Sequence, residues 1–323
     1  MSRGRSLLLI GGSGFFGKSF LDAYRRGLLK PWGIDRIKAV ARSASTLAHD
    51  YPELIGPGVE LVDANAGLIR RLPEADYVVH AASTTDARRY AEDPQSERAN
   101  ILASVDNYVQ IATQDHRSSR IVYASSGAVY GQQPPNLLEL AEDFMPGEAG
   151  ELASYKRDYA EAKRLAEQRI ASLGHVGIRT AVARCFAFIG VYLPRDQHFA
   201  IGNFLADGLA ARPVRVNARK AVYRSYMHAD DLVRWLMMIA DASSVDCPIY
   251  NVGSDEAVTM GEIARVVADR FGVAAEVPPV SESDVDRYIP SIRRARAELG
   301  LELSFNLESS VDDVAARLEA ARH

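Results

Sequence analysis

The feature that most constrains the fold is a glycine-rich turn, Gly11-Gly12-Ser13-Gly14-Phe15-Phe16-Gly17, which follows the apolar run Leu7–Ile10 and opens a segment of helical period. A strand that must reverse so abruptly into a helix needs residues without a Cβ, both to turn and to let two backbones approach closely. The spacing is G-x-x-G-x-x-G, and its strand–turn–helix setting is the one in which glycines point to a dinucleotide. The helix N-terminus then offers its amides to the pyrophosphate. Gly11, Gly14, Phe15, Phe16 and Gly17 are the candidate contacts.

Beyond this turn, short apolar runs alternate with helical segments, the pattern of a parallel sheet covered on both faces. Strands are predicted at Leu7–Ile10, Ile37–Ala41, Val59–Val62, Tyr77–His80, Ile121–Ala124, Thr180–Ala183 and Ile249–Val252. Helices are predicted at Gly17–Arg26, Ser104–Ala112, Ser154–Leu173, Ala229–Ala240, Met260–Phe271 and Leu307–Ala321. The alternation weakens after Arg184, where Pro194, Gly202 and Pro213 interrupt it. The expectation is an α/β chain: a Rossmann-type doubly wound parallel sheet over 1–184, rejoined by about 225–253, with a smaller C-terminal substrate-binding lobe from 185–224 and 254–323. A chain of 323 residues, 47% of them hydrophobic, has enough apolar material for such a core.

The residue after the second strand bears on the cofactor. An acidic side chain there accepts the ribose 2′-hydroxyl, whereas an arginine accommodates a 2′-phosphate. This chain has Arg42 followed by Ser43, which favours NADP, with NAD as the alternative.

Tyr159 and Lys163 stand four apart in a segment of good helix formers and so share one helix face. A phenol with a pKa of about 10 is a poor base at neutral pH, and a nearby ammonium favours its phenolate. Tyr159 is thereby a candidate general acid/base. Tyr155 competes poorly, because Tyr159 and not a lysine stands four residues on. The apolar strand Ile121–Ala124 runs into Ser125 and Ser126 at the sheet edge where ligands of α/β sheets bind, which makes a serine hydroxyl a candidate donor to a substrate oxygen.

Together the glycine turn, Val78-Val79-His80-Ala81-Ala82, the run from Ser125 to Gly131 and the Tyr159/Lys163 pair resemble the extended short-chain dehydrogenase/reductases, specifically the nucleotide-sugar epimerase/dehydratase family. Arg184-Cys185-Phe186, Arg224-Ser225-Tyr226 and Tyr250-Asn251-Val252-Gly253 extend the resemblance along nearly the whole chain. It implies a catalytic triad of Ser126, Tyr159 and Lys163, with Lys163 also holding the nicotinamide ribose and Ser125 beside the substrate. It further implies that Asp63 touches the adenine, that Ala81, Ala82, Ser83 and Asn100 line the cofactor path, and that Phe186 lies near the nicotinamide. The substrate it implies is a nucleotide-diphosphate sugar clamped by Arg224 and Arg287, with His198, Phe199 and Asn203 folding over the nucleotide.

Two departures from the family pattern narrow the chemistry. Ala187 stands where many relatives carry a phosphate-contacting asparagine, and Gly127-Ala128 where 4,6-dehydratases carry an Asp-Glu pair. Without an acid and a base for water elimination, epimerisation through a transient keto-sugar is the leading expectation. An NADPH-dependent keto-sugar reductase comes second, a 4,6-dehydratase third with Glu142 or Asp143 as substitute acids, and a non-catalytic NADP-binding sensor last. A net charge of −4 argues against nucleic acid as a partner. Cys185 and Cys247 fit buried thiols, and no metal site is expected. With no long apolar segment, the expectation is a cytoplasmic protein without membrane attachment, forming a homodimer by family resemblance.

Overall fold

The computed structural model describes residues 4–83, 88, 92–145, 154–197 and 199–322. They fall into two compact units, one drawn from 1–129, 152–184 and 233–250, the other from 130–151, 185–232 and 251–323.

The first unit is built on a seven-stranded sheet: β1 Arg5–Ile10, β2 Ile34–Ala41, β3 Val59–Asp63, β4 Tyr77–His80, β5 Arg120–Ser126, β6 Thr180–Cys185 and β7 Ile249–Val252, whose last two residues belong to the other unit. Their spatial order is β7-β6-β5-β4-β1-β2-β3, with parallel pairing from β3 through β2, β1 and β4 to β5. The order reverses direction between β1 and β4, the switch point of a Rossmann sheet.

Side chains alternate across this sheet, and both faces are buried. Leu8, Ile10, Val78, Ile121, Tyr123 and Val182 form one core with helices α2 Pro94–Asp115, through Val105, Tyr108 and Ile111, and α3 Ser154–Ala171, through Ala162, Ala166 and Ile170. Leu7, Leu9, Ala39 and Val79 point the other way and are equally buried, on the side that takes α1 Phe15–Arg25. The helix α2 starts ten residues before its predicted apolar half. Its first turns are polar but are set by Pro94 at the first helical position and by Asp93, whose carboxylate accepts from the Ser96 amide at 3.0 Å.

At the opposite end of the sheet from the site, Asp241 anchors three elements. It accepts from Trp32 Nε1 and Tyr77 Oη, each at 2.8 Å, and pairs with Arg120.

In the second unit, Lys220–Arg224 pairs antiparallel with Val258–Thr259 and parallel with Ser281–Tyr288. The helix Met260–Phe271 opens with a capping box between Thr259 and Glu262. The helix Ala200–Leu209 lies in the stretch where Pro194, Gly202 and Pro213 were read as interruptions, and it contains two glycines, Gly202 and Gly208. Both are close-packing positions: a Cβ on Gly202 would lie 2.3 Å from the Pro194 carbonyl oxygen, and one on Gly208 2.2 Å from the Phe271 ring. The strand Ser281–Tyr288 was also missed, because half of its residues are charged and Val285 is its one aliphatic side chain. Asp231, in the first turn of the helix Ala229–Asp241, is buried and accepts from the amides of Ser304 and Phe305, while His228 Nδ1 accepts from the Asp230 amide.

The glycine turn suggests a direct test of this architecture. A Cβ on Gly17 would sit 2.2 Å from the Gly12 carbonyl oxygen. Gly17→Ala is expected to cost about 1–3 kcal/mol of stability by overpacking, read as a lower denaturation midpoint; an unchanged midpoint would mean that α1 can move off β1 freely.

Candidate active site

The carboxyl ends of β1 and β4 meet at the switch point, and the chain there is too tight for side chains. Gly11 has φ +101°, and a Cβ on it would lie 2.7 Å from the Ala81 carbonyl oxygen; the Ala81 amide in turn donates to Ile10 O at 2.8 Å. Gly14 is different. It is the exposed N-cap of α1, with no side chain capping the helix, and a Cβ there would meet only Gly11 O at 3.4 Å. Glycine at this point leaves an open surface over the first amides of α1, which suits a bound phosphate. Phe15 and Phe16, packed edge to face at 5.8 Å, begin the helix.

Arg42 and Ser43 lie exposed just past β2. The Asp63 carboxylate, at the end of β3, accepts from the Ser45 amide at 2.9 Å, and this bond holds its pKa below the usual range. Asp63 therefore fixes the turn that presents Arg42. Ala82 and Ser83 continue from β4 half-buried, and Asn100 is exposed on α2.

Tyr159, Lys163 and Glu167 follow one another at intervals of four along one face of α3, against the end of β5. The Lys163 ammonium is buried, donates to the Ala124 carbonyl at 3.0 Å and to Tyr123 Oη at 3.3 Å, and lies 5.9 Å from the centre of the Tyr159 ring. Ser126, two residues beyond Ala124, is half-buried and accepts from the Ala128 amide at 3.2 Å. Ser125 is turned the other way: its buried hydroxyl donates to Glu167 Oε1 at 2.5 Å. Arg184, at the end of β6, holds the Glu167 carboxylate through Nε and Nη2, at 3.1 and 2.9 Å. Ser125 thus ties β5 to α3, its hydroxyl proton directed to Glu167. Glu167 escaped the sequence reading, although its position one turn beyond Lys163 was the available signal.

Behind Lys163 stands His80, fully buried, its ring 5.1 Å from Tyr108 and 5.5 Å from Tyr123, with Nε2 3.4 Å from Ser104 Oγ. Burial, reinforced by the Lys163 charge, pushes its pKa down to about 4.

The other candidates lie in the second unit. The Phe186 ring stands against Tyr288 at 4.6 Å and Tyr130 at 6.1 Å. Arg224 pairs with Asp286 at 3.1 Å, and Arg287 lies over the Tyr223 ring at 4.1 Å with its Nε buried and unbonded among the described residues. Asn203 donates to Gln197 O at 2.8 Å, Phe199 precedes the helix Ala200–Leu209, and His198 lies outside the described residues. Both cysteines are buried free thiols. Among the described residues no helix is long and apolar enough to cross a membrane, and no His, Cys, Asp or Glu cluster could hold a metal.

A seven-stranded Rossmann sheet with a Tyr-x-x-x-Lys helix beside its switch point defines an α/β enzyme of the extended short-chain dehydrogenase type. The profile of the NAD dependent epimerase/dehydratase family matches residues 7–253, and the chain belongs to that family. It is 23% identical over 316 residues to UDP-glucuronic acid decarboxylase 2 of Arabidopsis thaliana, covering 96% of this chain and 67% of that protein. Its fold is similar to that of UDP-glucose 4-epimerase from Thermotoga maritima, crystallised with UDP-glucose, with a TM-score of 0.78 at 16% identity over 98% of this chain and 100% of the other. It is equally similar to DesIV, the dTDP-glucose 4,6-dehydratase of Streptomyces venezuelae, solved with NAD bound: TM-score 0.78, 20% identity, 98% of both chains.

The depressed pKa of His80 makes a pH prediction. Between its ordinary 6.5 and about 4, the unfolded chain binds a proton that the folded protein excludes. The stability contributed by neutral His80 is therefore complete above about 6.5 and is lost as pH falls toward about 4. His80→Phe, which keeps an aromatic ring between the two tyrosines, should flatten the dependence of the denaturation midpoint on pH across that window. A slope equal to the parent's would show that other groups carry it.

Proposed function

We propose that this protein epimerises the sugar of a nucleotide-diphosphate sugar through a transient ketone, using a tightly held nicotinamide cofactor. The observation that carries this reading is the buried Lys163 ammonium beside Tyr159 at the carboxyl end of β5. A positive charge in a water-poor setting favours the phenolate, so Tyr159 can take a proton from a sugar hydroxyl and return it. Ser126 is assigned to hold the same sugar oxygen by hydrogen bond.

The bare Gly14 surface over the amides of α1 fits the cofactor's pyrophosphate, and Gly11, Gly17, Ala81, Ala82 and Ser83 border that path. When bound, the nicotinamide supplies the acceptor and donor of hydride. Arg224 and Arg287 are assigned to the substrate's diphosphate, a role suited to guanidinium groups.

Epimerisation is preferred to dehydration because the turn Gly127–Tyr130 carries no carboxylate beside Ser126. Glu142, the substitute acid considered from sequence, has its Oε1 bonded to the Asn251 amide at 2.8 Å. A net keto-sugar reductase is the second reading, and Arg42 is what favours it. Its exposed guanidinium past β2 suits the 2′-phosphate of NADP, the cofactor that a reductase must exchange every turnover.

Two variants test these assignments. Tyr159→Phe should lower turnover by at least about a hundredfold with cofactor affinity nearly intact, whereas a fully active variant would remove Tyr159 from the chemistry. Arg42→Ala should weaken NADP(H) binding more than NAD(H) binding, and equal losses would mean that Arg42 does not read the phosphate. The reaction class is decided by mass spectrometry of what the denatured protein releases, followed by incubation with UDP-, dTDP-, GDP- and CDP-sugars. Retained cofactor with a product of unchanged mass identifies an epimerase; activity only with added NADPH and a keto-sugar identifies a reductase.

A further inference from the structure

We infer that Tyr123 is a positioning residue for the acid–base pair: its phenol oxygen accepts from the Lys163 ammonium and, together with the Ala124 carbonyl, holds that ammonium beside Tyr159. The inference rests on the roles given to Tyr159 and Lys163 under the proposed function.

An ammonium on a four-carbon stem is a mobile point charge with three donors and no acceptor, and it stays charged in an apolar interior only if its N–H groups find oxygen. Lys163 is 3% exposed, with Ala124 O at 3.0 Å and Tyr123 Oη at 3.3 Å. Of these two acceptors only Tyr123 is a side chain, and it is itself 1% exposed within the core between the sheet, α2 and α3. Its ring also lies 4.9 Å from the ammonium, a distance at which a cation is attracted to an aromatic face.

The other ionisable groups around Lys163 have other engagements. On β4, His80 is neutral at working pH and adds no second positive charge. On α3, Glu167 is taken up by Arg184 of β6 and Ser125 of β5, while Glu161 and Asp158 face Arg98 of α2, at 2.7 and 3.6 Å. The Tyr123 oxygen is thus a neutral acceptor that fixes the position of the charge without cancelling it. A carboxylate at the same place would neutralise the ammonium and forfeit its effect on Tyr159.

Tyr123→Phe keeps the ring, its packing and its attraction for the cation, and removes only the oxygen. The expected consequence is a Lys163 charge less well held, and with it less Tyr159 phenolate at a given pH, by about tenfold for one lost hydrogen bond to a charged group. Ultraviolet titration of phenolate measures this on the purified protein without substrate or turnover. Subtracting Tyr159→Phe from the parent isolates Tyr159; subtracting Tyr123→Phe/Tyr159→Phe from Tyr123→Phe isolates it again without the Tyr123 oxygen. A midpoint for Tyr159 displaced to higher pH in the second difference supports the inference. Identical midpoints overturn it, even if the variant melts at a lower temperature, because a packing role would lower stability and leave the titration in place. Failure of the underlying reading is seen separately, as turnover by Tyr159→Phe.

Discussion

Everything at the switch point of the sheet depends on how closely the chain passes itself in the first turn. Gly12 lies against Ala39 of β2, Gly17 against Gly12, and Gly11 against the backbone of Ala81, each nearer than any Cβ would allow. These approaches draw α1 onto the sheet and bring the ends of β1 and β4 together. The switch point is where two crossovers leave in opposite directions, so a crevice exists there for topological reasons. Glycine at position 14 leaves the first amides of α1 uncovered by a side chain.

A second constraint works along α3. Tyr159, Lys163 and Glu167 repeat at four-residue spacing, so one helical face delivers a phenol, an ammonium and an anchoring carboxylate to the same strand end. The anchor is a buried ion pair, Glu167 with Arg184, to which Ser125 adds its hydroxyl. Charges taken from water need full hydrogen bonding to be tolerated, and this pair has it. It ties α3 to β5 and β6 at the level of Ala124, the residue whose carbonyl receives Lys163. The tie therefore sets where the ammonium can stand.

Periodicity announced the strands of the sheet well, because strands buried on both faces are continuous apolar runs that stand out locally. It failed where burial is not the organising force. The charged strand Ser281–Tyr288 exists because its backbone pairs with Lys220–Arg224, a partner about sixty residues away that leaves no local trace. The helix Ala200–Leu209 was obscured by Gly202, a close-packing position against Pro194. Asp231, in the first turn of the helix Ala229–Asp241, receives two amides from a turn about seventy residues on, a contact that leaves no local trace either.

The local order of residues was enough to establish the glycine turn, the Tyr159/Lys163 spacing and the serines ending β5, since each is a relation within one element or between immediate neighbours. Which hydroxyl is bonded into the interior was a different matter. Ser125 and Ser126 are adjacent and chemically identical, and only the arrival of Glu167 and Arg184 from other elements distinguishes them. The same holds for Tyr123 and His80, which the sequence places only within their own strands and which the packing of β4, β5 and α3 brings around the Lys163 ammonium. Contact across elements depends on three-dimensional register, and a linear pattern carries no record of it.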